Sequence, residues 1–320
     1  IQMSTYFRVL TVFLLVLSLL GAVPTAAKTL RLAMDAEPVS MDPHAHLSTG
    51  TLQFSHLVFD PLLRWTKAMD FEPRLAHKWE RIDATTLRFH LRKGVTFHSG
   101  NPLTAKDVEW TLQRLKRSES FKGVFEPVAG TKIIDDHTID IITKHPYPLL
   151  LNVATYIFPM DRLFYSGVDA LGKPKDAIEK FEPSFARDNA SGTGPFKVTE
   201  WVPGKGMIIE RVAPYWDTRS PGNVTRIELS AIGDAANRVN ALLAGKMDMI
   251  MPVAPQDYDQ VRLVDDVRLV TTATPRIILL QLNQDRRPEF RDVLVRQACL
   301  LYTSPSPRDH LLHLVCRLLL

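Results

Sequence analysis

The chain has 320 residues, 45% of them hydrophobic, with 39 Lys and Arg against 35 Asp and Glu, a formal net charge of +4 at pH 7. Charges this evenly balanced leave no basic footprint for nucleic acid or an acidic membrane surface, in spite of a pI near 9.0. Both cysteines, Cys299 and Cys316, lie in the last 22 residues, so the remainder needs no disulfide and tolerates an oxidising compartment.

From Met3 the chain reads as a short basic n-region with Arg8, an apolar stretch Val9 to Val23, then Pro24-Thr25-Ala26-Ala27 before Lys28. This is the pattern of a secretory signal peptide, residues 1–27, cut after Ala27. The 15 residues of this stretch as a helix reach only about 22 Å, short of a hydrocarbon core of about 30 Å. No cysteine follows the apolar run, so the expected product is a soluble periplasmic protein and not a lipoprotein.

Between Lys28 and Ala298 lie 271 residues carrying 36 Lys and Arg against 34 Asp and Glu. That length predicts two or more packed units, and no repeat or heptad appears. Thr29 to Met34 alternates as an opening strand; Asp35 to Gly50, with Pro38 and Pro43, reads as a loop before a helical pattern over Leu52 to Leu63. In Thr85 to Lys93, Leu87, Phe89 and Leu91 share one face, which predicts a half-buried strand turning at Gly94. Thr104 with Asp107 is a capping pattern, followed by Val108, Leu112 and Leu115 on one helical stripe. Ile133-Ile134 and Ile139 to Ile142 flank a turn. Phe196 to Trp201, Met207 to Val212 and Val224 to Leu229 read as strands, and a helix from Asp234 closes at Gly245. Met247 to Met251, Val267 to Thr271 and Arg276 to Asn283 read as strands, with a helix from Arg291 onward.

Three groups invite a chemical reading. His44, His46 and His56 contain an i, i+2 pair in a loop, but no third ligand stands close by, so no metal and no cofactor is expected. Gly192-Thr193-Gly194 is followed at once by Pro195 and a strand, which is not a phosphate loop opening a helix; a tight backbone crossing is the simpler reading. The loop Ser48-Thr49-Gly50-Thr51 supplies three hydroxyls and a glycine ahead of a helix. It either lines a binding site or caps that helix, and the residues alone leave both open.

Several motifs at compatible spacing now accumulate. They are Leu75 to Glu80, Leu91 to Val95, Phe97-His98-Ser99-Gly100 and Pro102 to Val108, then Gly192 to Phe196, Tyr215-Trp216, Ala241 to Gly245 with Asp248, Asn283, and Arg291 to Val293 with Val295 to Ala298. Together they resemble the extracytoplasmic solute-binding proteins of the dipeptide, oligopeptide and nickel group (family 5), which serve ABC importers. Ser99 stands where that family usually has an acidic residue, and Leu294 where it has a basic one.

The resemblance implies an α/β fold of the two-lobe periplasmic-binding-protein type (type II, three-domain peptide-binding subgroup). Residues 28–50 and 190–273 would form the first-lobe core and 51–189 an inserted domain. Residues 274–298 would begin a second lobe that is mostly missing. Ligand would lie in the cleft, bordered by Ser48, Thr49, Gly50 and Thr51, with lobe closure as a hinge motion. The implied role is a non-enzymatic, monomeric binder that delivers a peptide or peptide-like solute to an ABC permease and its ATPase subunits, with a nickel-, haem- or glutathione-type ligand as the alternative within the family. A secreted hydrolase is the rival class, although no nucleophile elbow, His-Glu-x-x-His helix or Ser-x-x-Lys pair is present. A chaperone-like binder of unfolded segments is a third.

The final residues differ in character. Cys299 to Asp309 resembles the translation of the transposase end of a sequencing-library adapter, and Leu314 to Leu320 its far end in the same frame. Residues 299–320 are therefore expected to be a non-native tail, and the chain ending there is expected to bind poorly and to aggregate.

Overall fold

The computed structural model describes residues 28–272, apart from 180, 220 and 221, and residues 281–303. The chain divides into two compact units, 1–269 and 270–320.

The first unit contains a five-stranded sheet of order β11-β1-β10-β9-β8, built from β1 (Lys28–Met34), β8 (Phe196–Val202), β9 (Gly206–Arg211), β10 (Val224–Ala231) and β11 (Met249–Met251). The strand β1 is parallel to both neighbours, with Leu32 opposite Leu229 of β10 and Ala33 opposite Ile250 of β11. Successive side chains on a strand point to opposite faces, and β1 uses both. Leu32 and Met34 pack with Phe54 and Val58 of α1 (Thr49–Val58), whereas Ala33 packs with Val239 of α5 (Ala235–Leu243).

A second sheet, of order β4-β5-β7-β6, is formed by β4 (Ala76–Arg81), β5 (Thr86–Leu91), β6 (Val128–Asp135) and β7 (Thr138–Thr143). Leu87, Phe89 and Leu91 are buried on one face against Val108, Leu112 and Leu115 of α2 (Ala105–Arg117). The start of α2 follows its sequence signature, since the Thr104 backbone N–H and hydroxyl both donate to Asp107 Oδ2 at 2.8 Å. A short hairpin, β2 (Leu63–Trp65) and β3 (Phe71–Pro73), precedes this sheet. The core under the second sheet draws on residues between Leu62 and Ile157. By contrast α1, Phe158, Met160, Tyr165 and Ala186, the last within α4 (Phe185–Asp188), share the core of the five-stranded sheet.

Two local expectations shift. The helix expected over Leu52 to Leu63 stops at Val58, because Phe59 is extended and Pro61 disfavours a helical residue before it; Leu63 instead opens β2. The segment Val267 to Thr271 forms no strand: Val267 and Leu269 pack against the β11 and α5 cluster without a pairing partner. The strand expected over Arg276 to Asn283 lies mostly outside the described residues.

Within the described part of the second unit, a 3₁₀ turn (Pro288–Arg291) leads into α7 (Val293–Thr303). Arg296 Nη1 ties the two by donating to the Phe290 and Arg291 carbonyls at 2.7 and 2.9 Å. The remainder of the expected tail, from Ser304, and the expected signal peptide lie outside the described residues. Among those described, no helix is long and apolar enough to cross a membrane.

Candidate functional site: the crevice at the carboxyl ends of β1 and β10

Adjacent parallel strands whose following connections depart to opposite faces leave a crevice outside their carboxyl ends, where open α/β sheets bind ligands. The pair β1 and β10 meets this condition: the chain leaves β1 toward α1 on one face and β10 toward α5 on the other. The loop 35–48 and the loop 232–234 form the two lips. They lie close together, since a Cβ placed on Gly233 would stand 3.7 Å from the Asp35 carbonyl oxygen. Asp35 and Asp234 are both exposed there.

The first lip is held from behind by groups far away in sequence. Arg114 of α2 donates Nη1 and Nη2 to the two oxygens of Asp42 at 2.7 and 2.6 Å, and Nη1 also faces His44 Nδ1 at 2.9 Å. A guanidinium can only donate, so His44 Nδ1 accepts and its Nε2 carries the proton, donating to the Phe158 carbonyl at 3.2 Å. Burial, together with the Arg114 charge, pushes the His44 imidazole down to about 3. For Asp42, burial works toward a higher pKa, but the charge and hydrogen bonds of Arg114 outweigh it and hold the carboxyl below its usual range. Ser118 Oγ and Ser120 Oγ donate to the His44 and Ala45 carbonyls at 2.6 and 2.9 Å, and Gly204 N donates to Glu37 Oε1 at 2.5 Å.

The second lip is held by Arg238 of α5, 3% exposed. Its Nη1 donates to the Ile232 and Gly233 carbonyls at 2.6 and 2.9 Å, and Nη2 to that of Pro252 after β11 at 3.1 Å. Asp234 caps α5 by accepting from Asn237 N at 2.8 Å. A rigid scaffold with short polar loops at one edge suits binding through backbone groups better than it suits acid–base or nucleophilic chemistry.

Ser48, Gly50 and Thr51 stand where the first lip enters α1. Ser48 is the N-cap, accepting from Thr51 N at 3.4 Å and donating to Thr51 Oγ1 at 3.0 Å. Ser48 is exposed, Thr51 is buried, and nothing lies within 4 Å of a Cβ on Gly50. Thr49 opens the helix, its side chain lying outside the description. Among the described residues no group of three possible metal ligands forms: His44 faces Arg114 and the Phe158 carbonyl, and His56 packs edge-on to the Phe158 ring at 5.1 Å.

The Gly192-Thr193-Gly194 run is a backbone crossing. Gly194 N donates to the Val58 carbonyl at 2.9 Å, and a Cβ on Gly192 would stand 2.0 Å from that oxygen. Ser99, the departure noted in the sequence, donates to Asp161, which also accepts from Asn101 Nδ2. A carboxylate thus stands beside position 99 although it comes from another segment.

The family model for bacterial extracellular solute-binding proteins, family 5 (middle region), matches residues 70–302. The periplasmic oligopeptide-binding protein OppA of Salmonella typhimurium is 26% identical over 286 residues, 82% of this chain and 50% of that protein. Heme-binding protein A of Haemophilus influenzae is 27% identical over 266 residues, 76% of this chain and 47% of the relative. This chain thus spans about half the length of the curated relatives it matches. Among solved structures, the periplasmic binding protein DppA of Helicobacter pylori in complex with peptide STSA superposes with a TM-score of 0.63 at 22% identity, covering 75% of this chain and 49% of that one. NikZ of Campylobacter jejuni in complex with Ni(L-His) gives a TM-score of 0.63 at 21% identity, covering 74% and 45%. These likenesses establish the periplasmic-binding-protein fold over part of its length. The relatives are named as binding proteins. With the family model matched over more than half of its length, this chain belongs to the bacterial extracellular solute-binding proteins of family 5.

Proposed function

We propose that this protein is the solute-binding component of an ABC importer, exported to the periplasm through a signal peptide cleaved after Ala27, and that it holds a peptide or peptide-like solute for delivery to a membrane permease. The observation that carries this reading is the switch between β1 and β10, with its two lips locked by Arg114 and Arg238. A peptide offers backbone donors and acceptors along its length, and two preordered loops meet it at little entropic cost.

In this reading Ser48, Thr49, Gly50 and Thr51 border the peptide. Ser48 is the member with an exposed side chain among those whose side chains are described, and its hydroxyl can accept from a ligand N–H while still holding Thr51. The protein acts as a monomer, without a cofactor, and its charged anchors for peptide termini come from the second lobe.

The test begins with sequencing the source DNA across codon 298, which decides the chain to express. Calorimetric titration of the purified product with defined di-, tri- and pentapeptides, and separately with haem and nickel–histidine, then reads the ligand class. Saturable peptide binding that weakens in Ser48→Ala supports the reading. Saturable binding of haem or nickel–histidine, with none for any peptide, replaces the cargo, and cleavage of peptides by the protein overturns the role itself.

A further inference from the structure

At the other edge of the five-stranded sheet, away from the crevice, lies a cavity of about 440 Å³ lined by Arg64, Arg74, Arg211 and Arg219 with Glu72 and Asp217. Its place is fixed by Phe196, which opens β8 and pairs with Arg211, and by Arg211 Nε, which donates to the Val224 carbonyl at the start of β10 at 2.7 Å. The cavity joins the β2–β3 hairpin to the ends of β8 and β9.

The charges of this cavity do not cancel. Arg64 donates twice to Glu72 Oε2, at 3.1 and 2.8 Å. Asp217 is shared between Arg219, which donates Nε and Nη2 at 2.8 Å each, and Arg74 Nη1 at 2.5 Å. Behind them, Arg74 Nη2 reaches the buried Asp60 at 2.7 Å. Arg211 has no carboxylate partner among the described residues; its guanidinium lies 5.3 Å over the Phe196 ring. Independently, Arg74 is 5% exposed and its Nε is buried without a hydrogen-bond partner. Four guanidinium groups against Glu72, Asp217 and the Asp60 behind them leave one positive charge in excess in a recess walled by Pro195 and Phe196.

We propose that this cavity binds a small multivalent oxyanion, a phosphate or a polycarboxylate, with Arg211 as its principal donor. Planar guanidinium groups present paired N–H donors that match two oxygens of such an anion, which an ammonium does not. Hairpin and sheet both contribute to the wall, so an occupied site joins the second-sheet region to the five-stranded sheet. The site is independent of the solute crevice and does not rest on the importer reading.

The experiment is calorimetric titration of the full chain with inorganic phosphate, and in a second arm with citrate, at an ionic strength held constant with sodium chloride. The expected result is saturable binding of at least one, weakened about tenfold or more in Arg211→Gln, as loss of a charge-assisted contact predicts. Arg211→Lys should fall between, and Arg226→Gln, at a surface pair with Glu210 and Glu228, should match the parent. Tighter citrate than phosphate binding identifies a polycarboxylate, and the reverse a phosphate. Should circular dichroism show that Arg211→Gln does not fold, Arg64→Gln reads the same cavity and should show a comparable loss. Absence of saturable binding in both arms overturns the proposal, as does parental affinity in the folded Arg211 or Arg64 variant.

Discussion

Arg114 and Asp42 meet through two parallel N–H to oxygen bonds of 2.6 and 2.7 Å, with both side chains sealed from water. The pair ties helix α2 to the loop that follows β1, 72 residues upstream. Replacing the guanidinium by an apolar group leaves a buried carboxylate with no counter-charge. Arg114→Met is therefore expected to cost about 3–5 kcal/mol. The double variant Asp42→Asn with Arg114→Met should cost less than the two single changes added together. Urea unfolding followed by tryptophan fluorescence reads both, and strict additivity would show that the pair is not coupled.

The neutral His44 beside this pair gives a pH dependence whose sign follows from its depressed pKa of about 3. Between that value and the ordinary 6.5, the unfolded chain binds a proton that the folded chain does not. Stability must then fall as pH drops from about 6.5 toward 3, at up to about 1.4 kcal/mol per pH unit; above 6.5 this group contributes no slope. Comparing unfolding free energies across pH 4 to 8 for the parent and His44→Gln isolates the effect. The variant should lose about one proton's worth of slope on the acid side, and equal slopes would mean that His44 is protonated in the folded state.

What the sequence shows plainly is local. The alternation at Leu87, Phe89 and Leu91 and the Thr104–Asp107 cap both appear in the structure where expected, because period and capping are short-range properties. Arg114 stands within a helical pattern between two core residues and reads as an ordinary solvated cation. Only the distant Asp42 makes its burial tolerable, and a pairing over that separation leaves no periodic trace. Arg238 leaves no trace for a different reason, its partners being backbone carbonyls that any sequence supplies. Val267 and Leu269 alternate as a strand would, but they are half-buried by packing against the Ala33, Val239 and Ile250 cluster and not by pairing. For Ser48, the capping alternative is what the hydrogen bonds display, and its outward exposure leaves the binding role to be measured.

Glycine at 192 and 194 is required by contact rather than by φ. A Cβ at 192 meets the Val58 carbonyl oxygen at 2.0 Å, and one at 194 meets the Val58 carbonyl carbon at 2.5 Å. Both obstacles are backbone, which cannot rotate aside. Overpacking of a core costs about 1–3 kcal/mol where side chains yield, so Gly192→Ala is expected to exceed that range and to abolish soluble expression. Gly50→Ala is the contrasting case, with open space around it inside a helix, and should be neutral or stabilising by up to about 1 kcal/mol. Thermal unfolding of the two variants checks the difference. A well-folded Gly192→Ala would mean that α1 and the segment before β8 can separate without loss.

Arg238 offers the sharpest separation of scaffold from site. Its guanidinium neutralises three carbonyl oxygens in the loops after β10 and β11, so truncation leaves acceptors beneath the second lip unsatisfied, at about 1–3 kcal/mol for each one that stays buried. Because Gly233 lies against Asp35, loosening this lip also loosens the meeting point of the two loops. Arg238→Met should therefore lower both stability and solute affinity. Arg238→Lys, which keeps the charge but cannot span all three carbonyls, should restore stability more than affinity. Amide exchange at residues 232–234 and at Val253 and Ala254 locates the change: faster exchange confined to these segments is expected. Uniform acceleration across the five-stranded sheet would instead make Arg238 a general core residue and remove its connection with the crevice.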